Sequence, residues 1–206
     1  MFERYDDRLR KRFTRRPVSG GSLGNLASHF QLWQKCVDMD TPVLIMEDDV
    51  IITPFFARAI EVAGGLIERL GFVRLTGRRE SARKYRYECV GEFGEFSLVR
   101  YIARASTAAC RGYLIHPSAA RRLLAHAGVW YVPVDHYMGR YWHHGVEPYE
   151  LRPCPLESAE DESVITHLPR ETSWTSKIRV ACYGLLECTR RTLYRARRKR
   201  RHFRMA

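Results

Sequence analysis

No long apolar run is present. Nothing in the 206 residues approaches the roughly 18 consecutive apolar residues of a membrane-crossing helix. The first residues, Met1 to Asp7, are charged and lack an apolar signal core, so nothing points to secretion. The six cysteines form no CxxC pair, which argues against a zinc site and a disulfide framework. A reducing cytoplasm fits that usage best. No internal repeat is visible.

Acid is scarce at one end only. From Lys177 onward there are 11 Lys/Arg against one acid, Glu187, a net of +10 out of the whole chain's +12. Residues 1–176 therefore carry only +2. A near-neutral body with a basic tail points to a local anionic partner for the tail rather than a nucleic-acid coat. With 45% hydrophobic residues the body can bury a real core.

What is there alternates between helix and strand patterns. Residues 1–16 read as a basic arm or short helix, and Pro17 to Gly21 breaks the pattern. Leu23, Leu26, Phe30, Trp33 and Val37 then recur at helical spacing, with Ser22 as a plausible N-cap. Pro42 to Met46 reads as a buried strand that runs into Glu47-Asp48-Asp49. A second helix is expected over about Phe55 to Leu70, and strands over residues 71–76, 96–103 and 110–115. A helix should follow Pro117, then residues 147–170 as loop, and a basic helix from Ser173 to Arg204. Helices alternating with short apolar strands mean a layered α/β domain.

The acidic stretch is the densest chemical signal. Three consecutive carboxylates repel, so they sit in water, help to start the next helix with Asp49 or Thr53, or bind a cation. At the C-terminal end of a parallel strand the cation gains weight. Mg²⁺ or Mn²⁺ takes oxygen ligands and often bridges carboxylates to substrate phosphates.

Four ordered blocks carry a resemblance. Gly21-Ser22-Leu23-Gly24-Asn25-Leu26-Ala27-Ser28-His29 with Leu32-Trp33 is the first, and Leu44 to Val50 the second. Gly112 to Ile115 with Ala119-Ala120 is the third, and Pro133-Val134-Asp135 the fourth. Together they resemble glycosyltransferase family 25, which includes lipooligosaccharide galactosyltransferases of bacteria and collagen galactosyltransferases of animals. The family usually has Glu and Cys where this chain has Ser22 and Asn25. It also usually carries a strand-helix-strand unit before the first block, so an N-terminally incomplete fold is expected.

The resemblance implies a GT-A-like α/β fold, here over residues 17–172, with a basic arm before it (1–16) and a basic amphipathic helix or tail after it (173–206). It implies a glycosyltransferase that moves a hexose, galactose being the common choice, from a UDP-sugar donor to a glycolipid or oligosaccharide acceptor of the lipooligosaccharide or LPS type. A divalent metal, Mn²⁺ or Mg²⁺, belongs with that chemistry, and Asp49 is the expected ligand. Glu47 or Asp48 would orient the donor ribose or a water on the metal. Asp135 is the expected general base of an inverting transfer, or else a helix N-cap; a carboxylate can be both. Ser28 and His29 face the donor or pack the helix. Arg111 and Arg78-Arg79 meet diphosphate oxygens or are surface charges.

The tail, residues 190–204, is expected on anionic lipid at the inner face of the cytoplasmic membrane, or solvated and unstructured. Two other classes stay open: an inactive membrane-associated remnant of such an enzyme, and a nucleic-acid-binding protein acting through the arginines. The absence of any nucleic-acid module disfavours the second.

Overall fold

The computed structural model describes residues 3–77, 87–102, 111–158, 169 and 171–199. The expected Arg78-Arg79 contact, residue 103 of the expected third strand and tail residues 200–204 lie outside them.

Seven helices and eight strands are described: α1 (Asp7–Phe13), α2 (Gly20–Asp38), β1 (Val43–Met46), β2 (Val50–Ile52), α3 (Phe56–Leu70), β3 (Phe72–Arg74), β4 (Tyr87–Phe93), β5 (Phe96–Tyr101), β6 (Gly112–Ile115), α4 (Pro117–His126), α5 (Val134–Met138), α6 (Tyr141–His144), β7 (Tyr149–Arg152), β8 (Leu156–Ser158) and α7 (Trp174–Lys199). The central sheet runs β1-β6-β3-β7-β5-β4, and β2 pairs separately with β8.

The βα alternation is real, but the acidic strand is not a parallel one. β1 pairs antiparallel with β6, as does β3 on the other side of β6; among the described strands only β3 and β7 pair parallel. Helix α3 does return the chain so that β1 and β3 point the same way. Strand β6 then inserts between them and faces both.

Side chains alternate across this sheet, as a two-residue period requires. Ile45, Phe72, Tyr113 and Ile115 face one layer with Leu26, Trp33 and Cys36 of α2 and Ala120 and Leu123 of α4. Val73, Leu75, Leu98, Leu114 and Leu151 face the other, against Ala59, Ala63 and Ile67 of α3. Each fully buried Leu stabilises the sandwich by roughly 1.5–3 kcal/mol. The result is a helix–sheet–helix arrangement, consistent with a glycosyltransferase fold.

Local chemistry places the helix ends. Ser19, not Ser22, caps α2: its Oγ accepts from the Ser22 N–H at 3.3 Å. Ser22 is buried in the first turn, with its own Oγ 3.0 Å from that of Ser19. Helix α3 has no side-chain cap, so neither Asp49 nor Thr53 starts it. Thr53 instead donates to the Pro155 carbonyl at 2.9 Å. Gly71 ends α3 with φ +76°, a left-handed cap that an L side chain resists, and its N–H bonds Ile67 O at 2.7 Å.

Of the expected loop over residues 147–170, residues 149–152 and 156–158 are strand instead, and residues 159–168 and 170 lie outside the described ones. The two strands are β7 and β8, with Glu150 wholly buried on β7. Its carboxylate is met by Arg74 at 3.5 Å, Arg152 at 2.8 Å and the Tyr101 hydroxyl at 2.9 Å. Near the N-terminus, residues 3–16 contain α1, which packs along α7, and Tyr5 and Phe13 pack on the core.

Candidate active site

The acidic residues fill a tight turn between two sheets. Met46 ends β1 at the edge of the large sheet, Asp48 and Asp49 make the turn, and Val50 starts β2 of the small one. The backbone N–H of Glu47 donates to Arg111 O at 2.7 Å, which extends the β1–β6 ladder by one bond. The Arg111 side chain then reaches back over the turn. Its Nη1 lies 3.2 Å from Asp49 Oδ2 and its Nε 3.8 Å from Glu47 Oε2.

Helix α2 supplies the other side. Asn25 and His29 are four residues apart and so share a face. Asn25 Nδ2 donates to Glu47 Oε1 at 3.1 Å, and His29 Nε2 lies 3.4 Å from the same oxygen. His29 Nδ1 is 2.6 Å from the Tyr113 hydroxyl, which also accepts from Trp33 Nε1 at 2.9 Å. Donor logic orients this chain. A carboxylate only accepts, so the proton sits on His29 Nε2; in the neutral ring Nδ1 then accepts from Tyr113. Burial works against ionisation of Glu47, yet the donors His29 and Asn25 and the charge of Arg111 hold its carboxyl below the usual range.

Asp49 is different. Its Oδ2 faces Arg111, but its Oδ1 is buried without a hydrogen-bond partner. Such an oxygen is costly unless something fills its lone pairs. Among the described residues no group of three or more His, Cys, Asp or Glu side chains could hold a metal alone. A cation on Asp49 Oδ1 would take further oxygen ligands, the donor type that suits Mg²⁺ or Mn²⁺.

Asp135 lies in the first turn of α5, whose N-cap is Pro133, so it is not the cap. Its Oδ1 accepts from the His136 N–H at 2.7 Å. Burial pushes its carboxyl up and the nearby Glu47 charge pushes the same way, while His136 opposes. Asp135 and Glu47 thus share one electrostatic neighbourhood although 88 positions separate them in the chain.

Of the other expected site residues, Asp48 is exposed in the turn. Ser28 is exposed and turned back onto its own helix, donating to Gly24 O at 3.2 Å, so it does not join the cluster. Four partners were not singled out from the sequence as site residues. Asn25, Tyr113 and Trp33 are linked to Glu47 directly or through His29. Arg10 of α1 is buried and donates to Arg16 O at 2.7 Å and Tyr131 O at 3.3 Å. Burial pulls its guanidinium down to about 10, with Tyr5 and then Asp135 acting in the opposite sense. The i, i+4 spacing of Asn25 and His29 was the one readable signal among these.

The profile of glycosyltransferase family 25 (LPS biosynthesis protein) matches residues 1–138. A glycosyltransferase 25 family member of Aedes aegypti is 28% identical over 130 residues, covering 61% of this chain and 20% of the relative. One of Anopheles gambiae is 38% identical over 47 residues, covering 22% of this chain and 8% of the relative. The chain thus spans a fifth or less of the curated relatives it matches. The profile match takes in α2, the acidic turn, β6 and all of α5, every element that contributes to the cluster around Glu47, and the chain belongs to glycosyltransferase family 25.

Proposed function

We propose that the protein transfers a hexose, galactose foremost, from a UDP-sugar to a lipooligosaccharide- or LPS-type acceptor, with inversion, in a GT-A-like fold at the cytoplasmic face of the inner membrane. The observation that carries this reading is the pairing of one unsatisfied carboxylate oxygen, Asp49 Oδ1, with a second carboxylate of raised pKa, Asp135, around Glu47.

In this reading Asp135 takes the proton of the acceptor hydroxyl. The acceptor oxygen forms its bond to the anomeric carbon as the bond to the diphosphate oxygen breaks, and the diphosphate leaves with the electron pair. A base with a raised pKa holds that proton better than an ordinary aspartate. Arg111 lies over the turn and places positive charge where the diphosphate gains negative charge. Glu47, fixed by Asn25 and His29, and the exposed Asp48 orient the donor ribose. A divalent cation on Asp49 and the donor phosphates would supply further Lewis-acid stabilisation there.

Incubation with UDP-hexoses, Mn²⁺ and truncated lipooligosaccharide tests it. The expected product is heavier by one hexose. Asp135→Asn should abolish transfer while UDP binding by calorimetry is kept, and Asp49→Ala should weaken that binding. Wild-type turnover in Asp135→Asn, or turnover indifferent to EDTA and to Asp49→Ala, overturns the assignment. UDP binding without any transfer would instead favour an inactive remnant.

A further inference from the structure

Helix α7 is turned the unusual way round. A helix on a protein surface normally presents its apolar stripe to the core. Here the body-facing side is polar and aromatic rather than aliphatic, with Tyr183 against Phe13 and Tyr194 against Tyr141. Glu187 is buried and accepts from Arg140 Nη2 at 2.7 Å and from Trp142 Nε1 at 3.1 Å. Tyr194 donates to Glu147 at 2.7 Å, and Arg198 pairs with the same carboxylate. Ser176 is fully buried beside them in the helical repeat.

The opposite side carries the apolar residues into solvent. Trp174 is 72% exposed, Ile178 49%, Leu185 71%, Leu186 45% and Leu193 53%. Positions 174, 178 and 185 follow the i, i+4, i+11 spacing of one stripe, with 186 and 193 along its margin. Helical spacing puts Lys177 and Arg195 on one flank of the stripe and Arg190 and Arg197 on the other; all four are exposed. The 26 residues of α7 extend about 39 Å. Eight Lys/Arg and one Glu give the helix a net charge of +7.

No described helix is long and apolar enough to cross a membrane. We infer that α7 lies flat on an anionic lipid surface, its outer stripe in the headgroup–acyl boundary and its basic flanks on lipid phosphates. An apolar stripe bordered by Lys and Arg is the pattern of an interfacial helix. Charge selects this occupant over a second copy of the chain, because two such stripes face to face would bring two helices of +7 together. A nucleic-acid backbone would match the flanks but leave the leucines in water. The inference does not depend on which sugar is moved.

Sedimentation of the full chain with vesicles tests it, without nucleotide sugar, so that failure here removes the membrane placement and leaves the transfer reaction itself untouched. Phosphatidylcholine vesicles containing phosphatidylglycerol should pull the protein down, and pure phosphatidylcholine far less. Arg195→Gln with Arg197→Gln should weaken binding by about fivefold per residue removed. Ile178→Glu with Leu185→Glu should weaken it by about tenfold or more per residue. Both pairs sit on the solvent side, so far-UV circular dichroism should be unchanged. Equal sedimentation with both vesicle types, or undiminished binding of the glutamate pair, overturns the proposal. So does a dimer in light scattering that the glutamate pair dissolves while vesicles bind nothing.

Discussion

His29 Nε2 lies 3.4 Å from Glu47 Oε1, and this one contact ties the interior of the sheet to the acidic turn. Behind it stand Tyr113 and Trp33, both fully buried, each directing its donor toward the next group. The carboxylate that anchors the turn is therefore positioned from the core and not only from the surface.

Tyr113→Phe should expose that dependence. Trp33 N–H and His29 Nδ1 would both lose a partner in a dry interior. The expected cost is about 1–3 kcal/mol in urea denaturation. The His29 ring would also lose what fixes its tautomer. Nitrogen NMR should find the proton on Nε2 in the wild type and a mixture of tautomers in the variant.

Gly112→Ala should be destabilising for a steric reason. A Cβ there would overlap Leu156 Cδ1 and stand 3.2 Å from Thr76 Cγ2. Overpacking of this kind costs about 1–3 kcal/mol. Leu156→Ala opens room at the same spot, so the double variant should be less destabilised than the sum of the singles by at least about 0.5 kcal/mol in a denaturation cycle.

Glu187→Gln should loosen α7. Arg140 is buried and directs Nε and Nη2 at Glu187 Oε2, at 3.0 and 2.7 Å. Removing one partner of a buried pair costs about 3–5 kcal/mol. Burial opposes ionisation, but His143 and Arg140 outweigh it and hold the Glu187 carboxyl down near about 2. Its contribution is thus complete above the ordinary carboxyl pKa and is lost as pH falls toward that value. Hydrogen exchange over residues 174–199 should rise in the variant and, in the wild type, on strong acidification.

Mild acid should act through His144. Burial pulls this imidazole down to about 3. Its Nδ1 accepts from the Val146 N–H at 3.1 Å and its Nε2 lies 3.2 Å from the Tyr137 carbonyl, so the folded ring has no place for a second proton. The unfolded ring gains that proton below its ordinary value, so stability falls as pH drops. The loss should be about 2 kcal/mol between about pH 7 and about pH 5. His144→Gln should melt lower at neutral pH but lose less over that interval.

How much of this was legible depended on range. The helical stripe of Leu23, Leu26 and Trp33 and the apolar run before Glu47 are local patterns, and both elements formed where they were read. Strand β7 hid because its centre is Glu150, which reads as loop until Arg74, Arg152 and Tyr101 arrive from elsewhere to neutralise it. The antiparallel setting of β1 was invisible for a similar reason: it depends on β6 entering between two strands that do run the same way. In α7 the period showed an apolar face, but only Glu147, Arg140 and Trp142 decide that the polar face docks. Asp135 and Glu47 were each readable, and their proximity was not.

The pairing of β2 with β8 also sets a timetable for the nascent chain. Thr53 and Pro155 are 102 residues apart, and the acidic turn between β1 and β2 has its second anchor only when both are present. At about 5–20 residues per second of synthesis, roughly 5–20 s pass before that anchor emerges from the ribosome. During that interval Val50 to Ile52 lack their β8 partner and lie beside three adjacent carboxylates. Repulsion between those charges and their copies on neighbouring nascent chains would then oppose pairing at that segment, apart from any part the carboxylates play in the folded protein.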